Sequence, residues 1–226
     1  MRPRQTLLLG LLLLVPVLAF LFLNNFGTNH YALPFLLPDR VDSTRNAAGE
    51  WQRDTVFHQV RPFRLLTSTG RALSSAELGK GFYVAQFYDA DAPSVLASRQ
   101  LLRVQEKYRQ ETRVRILSFV RNPGLTPLVK LQQLAEQYGT VAGKWYFLTG
   151  SADTMQTLYH QEFRYDVPYH RSIQGHPVTV QPAPGRLLLL DRDQHLRGVY
   201  DGRDGRETDR LLTEIDVLLY SYDHDD

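Results

Sequence analysis

The chain of 226 residues contains no cysteine. That absence removes thiol-disulfide exchange, a thiolate nucleophile and a thiolate-held metal from its chemistry, whatever fold it takes. It also removes a disulfide framework, so stability has to come from core packing. Methionine is almost as scarce, with Met1 and Met155 alone, too few for a relay of thioether copper ligands. A dominant charge is missing too. Lys and Arg number 26 against 24 Asp and Glu, and the arginines are scattered among the acids, so nothing supports nucleic-acid binding. No G-x-G-x-x-G or Walker segment is present to hold a nucleotide. Ser74, Ser75, Ser94, Ser98 and Ser118 all lie outside any G-x-S-x-G elbow, and no internal repeat appears.

What the chain does have, first of all, is an uncharged apolar run over residues 7–23, LLLGLLLLVPVLAFLFL, preceded by Arg2 and Arg4 and followed by Asn24 and Asn25. At about 1.5 Å per residue it makes roughly 25 Å of helix, the short end of a membrane span, and Pro16 is tolerated in one. The flanking arginines favour the cytoplasmic side. The expectation is a signal anchor: a transmembrane helix in the inner membrane, single-pass, with the soluble part on the periplasmic side. A cleaved signal peptide is the competing reading, although Phe20, Phe22, Asn24 and Phe26 leave no small-x-small cleavage site. The organisation expected is an anchor over 1–24, a linker over 25–54 with Pro34, Pro38 and Gly49, and one domain over 55–226.

Within that domain the periodicity predicts a strand at 63–67, a turn at Gly70, a capped helix from Ser74-Ser75-x-Glu77, and a central strand at 81–88, GFYVAQFY. Pro93 suits the first turn of a helix carrying Leu101, Val104 and Tyr108 inward. A strand at 113–120 follows, then a helix opened by Thr126-Pro127 and stopped by Gly139, a strand at 145–148, and a short helix from Ser151. Strands at 186–190 and 196–200 read as a hairpin across Asp191 to Gln194, and a helix over 207–219 turns Leu211, Ile215 and Leu218 inward. This order implies an α/β, thioredoxin-like fold: a central mixed sheet flanked by helices.

Several blocks carry a resemblance over nearly the whole chain: Leu102 to Tyr108, Thr126-Pro127 with Ala135 to Gly139, Gly143 to Gly150, and Leu190-Asp191 through Gly198 to Gly202. Together they resemble the SCO/SenC family of membrane-anchored thioredoxin-like proteins that deliver copper during cytochrome c oxidase assembly. That resemblance implies a copper site of two cysteines with a proline after the first, plus a distant histidine before the hairpin. Here the matching positions hold Ala92, Leu96 and Ala183, and the family's Asp-Pro loop reads Val120-Arg121-Asn122-Pro123-Gly124, one residue short. Two sulfurs one helical turn apart make a soft-metal site and a thiol pair of lowered pKa; a methyl and an isobutyl group can only pack, filling the pocket instead.

The remaining candidates are weaker. His160, His170 and His176 could hold a metal with Glu162 or Asp166, or they are polar positions in an extended insertion over 161–184. His30, His58 and His195 need no function. Asp89 and Asp91 could accept a hard cation, or cap a helix, which is the commoner role. Tyr159, Phe163, Tyr165 and Tyr169 form an interface if exposed, or fold back on the sheet. The sequence thus leads to a non-enzymatic, membrane-anchored SCO-like protein with no catalytic, cofactor or metal residue. It acts by protein contacts, and the resemblance implies respiratory oxidase assembly as the setting. The alternative is a copper-binding assembly factor with a relocated histidine site.

Overall fold

The structure is a computed structural model that describes residues 14–18, 33–45, 51–173 and 176–224. It divides into two compact units, Met1–Ala32 and Leu33–Asp226. In the first unit the described residues 14–18 are helical and exposed. The remainder of the 7–23 run lies outside the described residues, as does His30. Among the described residues no helix is long and apolar enough to cross a membrane. This corrects the expected transmembrane helix, and with it the signal anchor, the membrane as a partner and the single-pass inner-membrane placement with a periplasmic domain.

The second unit is built on a seven-stranded sheet of order β11-β10-β5-β6-β7-β3-β4. Its centre is β5 (Phe82–Tyr88), β6 (Val114–Val120) and β7 (Trp145–Thr149), which run parallel. On one side β10 (Arg186–Leu190) and β11 (Leu196–Asp201) add antiparallel, and on the other β3 (Arg64–Thr67) and β4 (Ala72–Ser74) do the same. The expected mixed sheet is therefore present. Every residue of β5 is buried, as befits a parallel strand covered on both faces.

Strand alternation sorts that covering. Phe82, Val84 and Tyr88 face a core with Ala97, Leu101 and Val104 of α2 (Ala92–Lys107), Leu131 and Leu134 of α3 (Leu128–Gln137), and Leu211, Ile215 and Leu218 of α5 (Gly205–His224). Tyr83, Ala85 and Phe87 face the other layer. There they meet Leu78 of α1 (Ser75–Leu78), Met155 of α4 (Ala152–Thr157), and Leu158 and Phe163 in and after the π-helical turn Leu158–Glu162. Between β5, β6, β7 and α2 the buried Gln86 amide donates to Ser98 Oγ and Ser118 Oγ, both at 2.8 Å, and Trp145 Nε1 donates to Ser118 Oγ at 2.9 Å. Gln86 Nε2 thus ties β5 to α2 and β6, while Gln86 Oε1 is buried without a hydrogen-bond partner among the described residues.

Two antiparallel hairpins lie outside the main sheet. β1 (Pro38–Arg45) pairs with β2 (Trp51–Phe57), Val41 opposite Thr55 and Arg45 opposite Trp51, so chain within 25–54 that reads from composition as a linker carries paired strands. β8 (Tyr169–Ile173) pairs with β9 (His176–Val180) inside the 161–184 insertion. The start of the unit is held at β11. Leu33 and Leu36 are buried, Leu36 N donates to Leu196 O at 2.9 Å, and Arg197 donates to the Leu33 and Pro34 carbonyls. Arg197 also pairs at 2.9 Å with Asp191, which is fully buried and accepts from the Tyr222 hydroxyl at 3.2 Å.

Candidate functional site

β5 ends at Tyr88, opposite Val120 at the end of the parallel β6, so Asp89 and Arg121 leave the sheet side by side. They pair at 2.8 Å, and Asn122 Nδ2 donates to the other Asp89 oxygen at 2.6 Å. Ala90, at φ 58°, turns the chain so that Asp91 caps α2, its carboxylate accepting from Ser94 N at 2.9 Å. Capping is thus the role of Asp91, and Asp89 is engaged by a guanidinium and an amide. The third wall is the strap of residues 181–185. Gly185 lies so close to α2 that a Cβ there would stand 2.7 Å from Pro93 O, and its φ of 76° suits glycine alone.

Asp89, Asp91, Ser94, Arg121, Tyr159 and Ala183 thereby line one cleft of about 150 Å³. The Arg121 guanidinium lies 4.5 Å from the centre of the Tyr159 ring. Burial works against its charge, but the Asp89 carboxylate outweighs that and holds the Arg121 pKa above the ordinary arginine value. Burial pushes the Tyr159 phenol up. Nothing in the cleft can serve as a nucleophile with its base: Ser94 Oγ accepts from Asp89 N at 3.2 Å, and neither carboxylate is free to take its proton.

Position 183 is brought into the same cleft as the start of α2, as the resemblance implies, but Ala92, Leu96 and Ala183 offer copper no sulfur and no imidazole. The donor set does not fit the metal. Ala92 is exposed and Leu96 is 44% exposed, so the pair does not fill the pocket; the Asp89–Arg121 pair forms part of its wall. Arg121, Asn122 and Tyr159 are the residues a reading of the α2 start alone misses. Their signal is positional, because Asp89 and Arg121 stand at equal offsets beyond two adjacent parallel strands.

The histidines stay apart. His160 Nδ1 is paired with Asp166 at 2.6 Å on the surface, and His170 Nδ1 lies 3.0 Å from Thr179 Oγ1 across the β8–β9 ladder. His176 is opposite Ile173 on β9, its side chain outside the described residues. Among the described residues no group of three or more His, Asp or Glu could hold a metal ion. His58 bridges Asp39 at 3.1 Å and the Glu162 carbonyl at 2.8 Å, and His195 packs edge-on against Phe35. The aromatics fold back. Phe163, Tyr165 and Tyr169 are buried, Tyr165 and Tyr169 donating to the Arg186 and Val199 carbonyls at 2.7 and 3.0 Å. This corrects the exposed aromatic interface: a tyrosine whose hydroxyl finds a carbonyl buries its ring at little cost.

No protein-family model and no curated protein matches the chain. Solved structures do. BsSco, a member of the Sco family of cytochrome c oxidase assembly proteins, aligns with a TM-score of 0.57 at 22% identity over 73% of this chain and 95% of its own. A SCO1/SenC family lipoprotein from Bacillus anthracis gives 0.55 at 17% over 72% and 95%, and Arabidopsis thaliana ScoI with copper bound gives 0.51 at 14% over 69% and 97%. At these identities the likeness shows the fold: the chain has the thioredoxin-like architecture of Sco structures, with neither thiol nor imidazole at positions 92, 96 and 183.

Proposed function

We propose that the chain works without catalysis, by contact with other proteins through the rim of the cleft at the C-terminal ends of β5 and β6. The observation that carries this is what occupies the rim. Asp89, Arg121 and Asn122 engage one another, while Leu96 on α2 and Leu125 just beyond β6 stand 44% and 75% exposed. Two large exposed aliphatic side chains, one in the first turns of α2 and one in the turn after β6, suit a contact surface better than a reaction centre. The assembly role stated for BsSco makes an assembling protein the partner class to test first.

The test is in-cell crosslinking from positions 96 and 125, compared with the double variant Leu96→Asp, Leu125→Asp. The reading expects one set of crosslinked proteins, lost in the variant while its unfolding midpoint stays unchanged. The same set recovered from both proteins overturns it.

A further inference from the structure

Arg186 opens β10 with only 4% of its surface exposed. Nη1 donates to the Tyr165 and Val167 carbonyls at 2.9 and 3.2 Å, and the guanidinium carbon lies 5.3 Å from the centre of the Tyr169 ring. Nη2 has no hydrogen-bond partner, and among the described residues no carboxylate pairs with this side chain. Among the described residues the enclosed Arg197 is paired with Asp191 and Arg210 with Glu207 and Glu214, while Lys144 donates to the Glu111 and Val114 carbonyls. Burial pushes the Arg186 pKa down, yet an arginine remains protonated. A dry cation with one orphan donor is costly unless something supplies the acceptor and the countercharge.

The same side chain forms part of the wall of a cavity of about 350 Å³, with Tyr169, Val180 and Val199 giving it apolar and aromatic surface. That volume lies within the roughly 300–1,000 Å³ of small-molecule sites. Asp201 and Glu207 also reach the cavity, but Asp201 is engaged by Arg203 at 2.6 Å and Glu207 by Arg210 at 2.7 Å. Arg186 is therefore the unmatched charge of the wall. One orphan nitrogen opposite two carboxylates favours a single negative charge over a phosphate dianion.

We propose that this cavity binds a small organic carboxylate, its charged group taken by Arg186 and its apolar body laid against Tyr169, Val180 and Val199. Nη2 is itself shut off from solvent, so the ligand must open the wall, to which Gln181 and Ala183, outside any helix or strand, contribute. The cavity shares Ala183 with the first cleft, but Leu96 and Leu125, which carry the contact proposed above, line neither.

The full chain titrated with sodium benzoate by calorimetry should show saturable binding, and inorganic phosphate should show none. Arg186→Gln should weaken benzoate at least about tenfold. Because Arg186 also holds two carbonyls, Ala183→Phe supplies a second variant, filling the cavity from the strap with Arg186 intact; it should lose benzoate while keeping the wild-type unfolding midpoint. Absence of benzoate binding up to about 10 mM, phosphate binding in its place, or unchanged benzoate affinity in Ala183→Phe each overturns the proposal.

Discussion

A thiolate at position 92 and another at 96 would lie one turn apart at the positive end of α2, whose Pro93 is approached by the strap at Gly185. The strap and the start of α2 are neighbours, and the donors are absent. The triple variant Ala92→Cys, Leu96→Cys, Ala183→His should therefore bind a single Cu(I) with an affinity the parent lacks, measured by competition titration. A triple variant no better than the parent would show that the strap and α2 do not approach closely enough for shared ligation. The donor residues were legible in the sequence as absences. What replaces them was not, because the Asp89–Arg121 pair joins residues 32 apart and exists only through the register of β5 on β6.

Elements that local chemistry writes were legible. Ser74 accepts from Ala76 N and Glu77 returns to Ser74 N, the reciprocal cap that the Ser-Ser-x-Glu pattern predicts for α1. Gly139, at φ 58°, follows α3 as expected, and Asp191–Gln194 turns the β10–β11 hairpin. The β8–β9 hairpin and the short β4 were not legible. Their residues carry little alternation of their own and gain order from their neighbours, Tyr169 through its bond to Val199 and β4 through its pairing with β3. The caps give a prediction at this scale. Asp91→Ala should cost about 1 kcal/mol in urea unfolding, and Asp91→Ser should restore most of it; equal losses in both would mean that Asp91 acts other than by capping α2.

For the whole molecule, stability rests on a core that begins at Leu33. Removing residues 1–32 should leave the urea midpoint of the remaining unit unchanged, since that unit is compact by itself. Removing residues 1–37 also strips the buried Leu33 and Leu36 and should cost about 3–6 kcal/mol, at about 1.5–3 per leucine. Equal midpoints for the two truncations would refute this account of the segment. Acid sensitivity is a second global property. The Arg113 hydrogen bonds hold Glu111 down to about 2, against an ordinary value of 4.5. The unfolded chain binds a proton there that the folded chain does not. The contribution of Glu111 is thus complete above about 4.5 and is lost as the pH falls toward about 2. Glu111→Gln should flatten the decline in stability across that window, measured as urea midpoint against pH; an unaltered slope would assign it to other carboxylates.

The Asp191–Arg197 pair takes hold of both extremities of the folded unit, Arg197 through the Leu33 carbonyl and Asp191 through Tyr222 near the end of α5. Tension applied between those extremities would load this ion pair together with the Leu36 bond to β11, the Tyr222 contact with Phe82 of β5 and the Arg113–Asp223 pair. The unit's two ends are thus both fastened to one sheet, and a pull on them is shared between β11 and the centre of that sheet.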